Sequence, residues 1–153
     1  MNTERKVFLE VKCKRNPEMK KSIEELLKTP YWIVDILPKQ VPENSPGQYF
    51  AVEEYFLQED RLEEIKQKHI HLILKMNCYR DVSIDDEEEL NPSPARIAEE
   101  MRKRYLYIRT GEAMILSEPD DTHMTVFNSD PELLGLIREI ASGEGLFVWK
   151  PAE

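Results

Sequence analysis

The side chains in this chain best suited to moving protons or holding metal ions near neutral pH are its three histidines. Two of them stand in one short run, His69-Ile70-His71-Leu72-Ile73-Leu74-Lys75-Met76. Read as a strand, the even positions Ile70, Leu72, Leu74, Met76 and Cys78 form one apolar face. The odd positions then turn His69 and His71 together to the other face, followed by Ile73, Lys75 and Asn77. Same-face neighbours on a strand lie roughly 7 Å apart, close enough for two imidazoles to share a metal ion. Carboxylates for such a site stand at Asp35, which interrupts Tyr31, Ile33 and Leu37, and at Glu54, among Phe50, Val52 and Phe56. A carboxylate with such neighbours sits at a strand end, is paired, or is raised in pKa. The metal set expected from this pattern is His69, His71 and Asp35.

The third histidine opens His123-Met124-Thr125-Val126, where His123 and Thr125 face one way and Met124 and Val126 turn to the core. Together with His71-Leu72-Ile73-Leu74 it resembles the paired His-x-Thr strand motifs of the two-histidine (2H) phosphoesterases. That resemblance implies that His71 and His123 act as general acid and base on a 2′,3′-cyclic or 2′–5′ phosphodiester, with the Thr125 hydroxyl holding the phosphate. Such chemistry requires two imidazoles facing one another across a cleft, and His69 and Asp121 are further candidates to join them. The first motif departs from the pattern, since Ile73 stands where threonine is expected. The plainer reading of His123 places it at a hairpin mouth, with Asp120 and Asp121 as turn residues and charge partners.

These groups must be carried by a scaffold that the sequence outlines. Residues 5–13 alternate as a half-buried strand, with Val7, Leu9, Val11 and Cys13 on one side. Asn16-Pro17 opens a helix that Pro30 stops. Tyr31 to Leu37 reads as a strand, 38–47 as a Pro-rich loop or lid, and 48–57 as another strand. Asp60-Arg61-Leu62-Glu63 is a capping box for a short helix before the strand at 69–77. Leu62, Ile65, His69, Leu72, Ile73 and Met76 also make a helical stripe. The strand accounts for more apolar residues and is the expectation.

Residues 81–93 form an acidic, Pro-containing linker around Asp85-Asp86-Glu87-Glu88-Glu89. Ser93-Pro94 starts a helix carrying Ile97, Met101, Tyr105 and Ile108 toward a cap at Gly111. Residues 112–117 and 123–128 form a hairpin, Asp130-Pro131 opens a last helix, and Leu146 to Trp149 is a terminal strand.

The expected fold is therefore a single α+β domain, a two-layer sandwich. A ferredoxin-like βαββαβ unit over about 5–77 is extended by α-β-β-α-β over about 94–149, with a largely antiparallel sheet. The 153 residues suffice for one continuous core. A net charge of −9 argues against a protein built to hold nucleic-acid phosphate. No apolar run approaches the roughly 20 residues of a membrane span, and the N-terminus lacks a signal-peptide core, which points to the cytoplasm. Cys13 and Cys78 form no metal or redox spacing. Without a Gly-rich phosphate loop, nucleophile elbow, zinc spacing or calcium loop, no cofactor is expected.

The functional expectation is a binding or regulatory protein without catalysis of its own. It would recruit a protein partner, or a second copy, through aromatic residues Tyr31, Trp32, Tyr49, Phe50, Tyr55 and Phe56. The alternative is a phosphodiester-cleaving or metal-dependent enzyme using His71 and His123.

Overall fold

The computed structural model describes residues 21–152. The strand expected at 5–13, Cys13 and the opening of the first helix at Asn16-Pro17 lie outside the described residues. Within them the order is α1 (Ile23–Leu26), β1 (Tyr31–Asp35), α2 (Tyr49–Phe56), α3 (Glu59–Asn77), β2 (Ser83–Ile84), α4 (Pro94–Lys103), β3 (Leu106–Thr110), β4 (Ala113–Ser117), β5 (Met124–Phe127), α5 (Pro131–Gly143) and β6 (Phe147–Trp149). The described residues thus form an α+β fold of five helices and one open sheet of six antiparallel strands, ordered β2-β3-β4-β5-β1-β6. No described helix is long and apolar enough to cross a membrane.

Two expected strands are helices. Residues 69–77 belong to α3, a rod of 19 residues starting at Glu59. Its buried residues are Ile65, Lys66, His69, Ile70, Leu72, Ile73 and Met76, spaced for a broad helical face rather than for alternation. A narrow stripe leaves Ile70 facing water, but α3 packs against both α4 and α5, so the buried arc widens and Ile70 is only 2% exposed. Residues 49–56 likewise coil into α2, although their aromatic and β-branched content favours a strand. With both segments helical, β1 is the one strand of the βαββαβ order expected through residue 77 that is retained among the described residues.

The other departures are local. The helix opened by Ser93, whose hydroxyl accepts from Arg96 N at 3.1 Å, and by Pro94 stops at Lys103. Leu106 and Ile108 then lie in a strand, and Gly111 turns the β3–β4 hairpin instead of capping a helix. Thr110 pairs with Ala113, leaving Gly111 and Glu112 as the turn. Gly111 holds φ at +57°, a conformation that glycine adopts without steric cost. Residues 81–93 contribute β2 to the sheet edge. Asp85 and Asp86 follow it in the left-handed region, which their short polar side chains tolerate.

One sheet face and the three longer helices enclose the main core, in which Val34, Ile108, Ile115, Met124 and Val126 meet Ile73, Met76, Ile97, Met101, Leu133 and Ile137. On the other face Leu26 of α1 packs with Met114 and Phe127. The β4–β5 hairpin, the α5 helix capped by Asp130 and the terminal strand all form where the sequence indicates.

Candidate functional site

The sheet register brings polar groups together at one end of the central strands. Val34 of β1 and Ser117 of β4 both pair with Met124 of β5. Continued by one residue, these registers set His123 between Asp35 and Glu118. The segment linking β4 to β5 folds back so that Asp121 reaches the same place. Its Oδ1 lies 2.8 Å from His123 Nδ1 and accepts from Thr122 N at 2.7 Å. One ligand atom each from Glu118, Asp121 and His123 fall within 4.8 Å of one another, and all three residues are half-buried.

Behind this trio successive turns of α3 insert Lys66 and His69, 2% and 0% exposed. Lys66 Nζ donates to the Glu118 carbonyl at 2.8 Å and to Ser117 Oγ at 3.3 Å, and lies 3.4 Å from His69 Nδ1. His69 Nε2 is buried and makes no standard hydrogen bond among the described residues, although the Thr122 backbone lies near enough to influence the ring. From another side, α2 presents Tyr49, whose hydroxyl donates to Glu53 Oε2 at 2.9 Å and feels the charges of Asp35 and Asp121.

Burial and crowding perturb seven ionisable groups in this cluster. Burial lifts Asp35 above the ordinary carboxylate range, against the N–H of Ile36 at 2.7 Å and the His123 charge, which pull it down. Glu118 is raised by burial and by its hydrogen bond to Asp121. Burial also pushes Asp121 up, but the bond to and charge of His123, the Thr122 N–H and Glu118 together bring it below the usual value. Glu118 and Asp121 thus shift in opposite directions, as two carboxyls held close together beside one imidazole do. His123 is raised, chiefly by its bond to Asp121. Lys66 falls to about 8 through burial, only partly countered by Asp121, Glu118, Asp120 and Glu63. His69 falls to about 3, through burial and then the Lys66 charge, and is a neutral imidazole at pH 7. Tyr49 is pushed up to about 12 by burial and then by Glu53.

Of the residues singled out from the sequence, His123 and Asp35 meet here, Asp121 joins them, and His69 stands directly behind. His71 does not accompany His69. Both ride on a helix, where positions two apart point about 200° away from each other. His71 faces outward, its Nδ1 3.5 Å from Glu144 Oε2 and its Nε2 2.9 Å from Gln67 Nε2, next to a Lys75–Glu144 bridge of 2.6 Å. The strand geometry that would pair His69 with His71 on one metal ion is therefore absent. Thr125 lies further along β5, half-buried opposite Ile33 and Leu116. Glu54 is exposed on α2, and Cys78 is an exposed thiol at the end of α3.

Sequence reasoning missed Glu118, Lys66 and Tyr49. Glu118 was visible as the first member of a Glu-x-x-Asp-x-His run, whose spacing lets a tight connection fold its acids onto the histidine. Lys66 emerges only when 59–77 is a helix, which places it one turn before His69 on the buried side. Tyr49 carries no local signal. Compared with models of known protein families, with curated proteins and with solved structures, the chain matches none.

Proposed function

We propose that this protein is a divalent-cation-binding domain, with Glu118, Asp121 and His123 as the ligands and the remaining coordination positions open to water or a substrate. The observation that carries the reading is the convergence of one imidazole and two carboxyls within 4.8 Å, with the two carboxyls bonded to each other. A divalent ion would offset the repulsion between the two carboxylates. Two oxygen donors and one nitrogen suit Zn²⁺ or Mn²⁺ better than Ca²⁺ or Mg²⁺, which favour all-oxygen shells. Three protein donors with open positions is also the arrangement that catalytic zinc sites use to acidify a bound water. Asp35, beside His123 and raised in pKa, would be the nearby carboxyl available as a proton acceptor if an ion acidified a water there. In this reading His123 is a ligand rather than one of two acid–base imidazoles, and His71 has no part.

Isothermal titration with Zn²⁺, Mn²⁺ and Mg²⁺ tests the proposal. One equivalent of Zn²⁺ or Mn²⁺ is expected to bind, releasing protons and weakening as the pH falls, because the ligands must be deprotonated. Loss of an outer-shell partner costs about 10–100-fold in metal affinity, so Asp121→Asn or His123→Gln should cost at least about 100-fold. His71→Gln should change nothing. Absence of binding, or equal affinity in the Asp121 and His123 variants, sinks the reading.

A further inference from the structure

A second surface lies on α2, the helix that also presents Tyr49 to the cation site. Helix α2 has the sequence Tyr49-Phe50-Ala51-Val52-Glu53-Glu54-Tyr55-Phe56, and none of its residues is buried. Phe50 is 80% exposed, and Tyr49, Val52, Tyr55 and the following Leu57 are exposed as well. An isolated helix this short is not stable in water, and helices normally persist by burying an apolar face. This one keeps its apolar side chains in solvent and touches α3 only lightly.

The chemistry around it indicates what would cover it. Phe50, Glu54 and Leu57 follow one another at helical spacing, so a carboxylate stands between two exposed apolar side chains. Glu53, Glu59, Asp60 and Glu64 add negative charge along α2 and the start of α3, in a chain of net charge −9, while Glu63 is already bridged by Arg102 at 2.9 Å. A second copy would bring the same acids against these. Within the patch, one aromatic ring already holds a cation: the Arg61 guanidinium lies 3.6 Å from the Tyr55 ring centroid, steadied by Gln58. That internal contact shows the kind of group the surface accepts.

We infer that the exposed side of α2, built on Phe50, Glu54 and Leu57, docks a basic amphipathic segment of another protein. The segment's apolar side chains would cover Phe50 and Leu57, and its arginines or lysines would meet Glu54 and the acids of α3. Aromatic anchors inside a charged rim are the usual makeup of such surfaces.

The test uses the full chain and a labelled amphipathic peptide of leucine and arginine, with a control peptide in which glutamate replaces every arginine. Fluorescence anisotropy should show saturable binding of the basic peptide and none of the acidic one. The double variant Phe50→Ser/Leu57→Ser should weaken binding at least tenfold at unchanged net charge, and Glu54→Gln should weaken it several-fold. Because these side chains are exposed, circular dichroism and the melting temperature should stay the same in all variants. Equal binding by the double variant would show that the peptide merely follows bulk negative charge, and would overturn the proposal. It would equally fail if wild-type sediments as a dimer that Phe50→Ser/Leu57→Ser dissociates, since the occupant would then be a second copy.

Discussion

The acid-rich stretches Asp85-Asp86-Glu87-Glu88-Glu89 and Glu118-Pro119-Asp120-Asp121 have similar composition but opposite electrostatic surroundings. The first is matched by arginines. Arg104 bridges Asp85, Arg109 Nη1 lies 2.9 Å from Asp86 Oδ1, and Arg96 reaches both Glu87 and Glu89 at 2.8 Å. The second has Lys66 and His123 nearby, yet Lys66 spends its hydrogen bonds on a backbone carbonyl and a hydroxyl, and Glu118 and Asp121 bond to each other. Planar guanidinium groups that fork onto carboxylates hold the β2–β3 edge together as structure. The half-buried corner instead holds its carboxyls against each other and one imidazole. Acid content alone does not separate the two stretches; the cations facing them do.

The largest way to sharpen this contrast is acid. Buried His69 stays neutral in the folded protein until about pH 3, whereas in the unfolded chain it takes up a proton near its ordinary value of 6.5. Its folded pKa is the lower one, so the stability tied to its neutral form is complete above pH 6.5. It is lost as the pH falls from 6.5 toward 3, at a limiting rate of roughly 1 kcal/mol per pH unit. His123 has the opposite sign: its raised pKa stabilises most below 6.5, and that contribution fades as the pH rises through the folded value. Urea unfolding of wild-type between pH 7 and 4 should therefore show a steep loss that His69→Gln flattens. Identical slopes would mean that His69 is not buried neutral behind the site.

Next in size is Lys66→Met. The ammonium holds the Glu118 carbonyl and Ser117, and leaving such buried partners unpaired costs about 1–3 kcal/mol. With its folded pKa at about 8 against 10.5, the wild-type lysine penalises folding most below pH 8 and relaxes as the pH climbs from 8 to 10.5. Wild-type should thus gain stability over that window and the variant should not. At neutral pH the variant should also bind the divalent ion more tightly, having lost a nearby positive charge. A variant that keeps the alkaline gain would show that another group titrates there.

Much of this arrangement is legible in the sequence wherever local signals agree. Ser93-Pro94 and Asp130-Pro131 mark helix starts because cap and N1 chemistry is decided within three residues. His123 beside Asp121 follows from a tight connection between two alternating strands. The segment 69–77 resists such reading because Ile70-x-Leu72-x-Leu74-x-Met76 satisfies a period of two while the residues from Leu62 on satisfy 3.6. Only the packing of α4 and α5 around one rod decides between them. The site inherits that ambiguity: a strand unites His69 with His71, and a helix separates them and delivers Lys66 instead. Helix α2 is harder still, since no buried position constrains its period.

The smallest expected effect falls on the matched stretch and bears most directly on what makes a cation site. Arg96 is the shared partner of Glu87 and Glu89, all three groups lie at the surface, and exposed pairs of this kind are screened by salt. Arg96→Ala should leave the urea midpoint within its measurement scatter, with and without added salt. The same variant leaves Glu87 and Glu89 without their arginine. If surplus carboxylates sufficed to hold a divalent ion, titration of Arg96→Ala with Zn²⁺ would reveal a second equivalent. One equivalent is expected, because no imidazole faces these glutamates and water already solvates them. What distinguishes the corner at His123 is the combination of burial, a nitrogen donor and two carboxyls bonded to each other, and a second equivalent in Arg96→Ala would show that combination to be unnecessary.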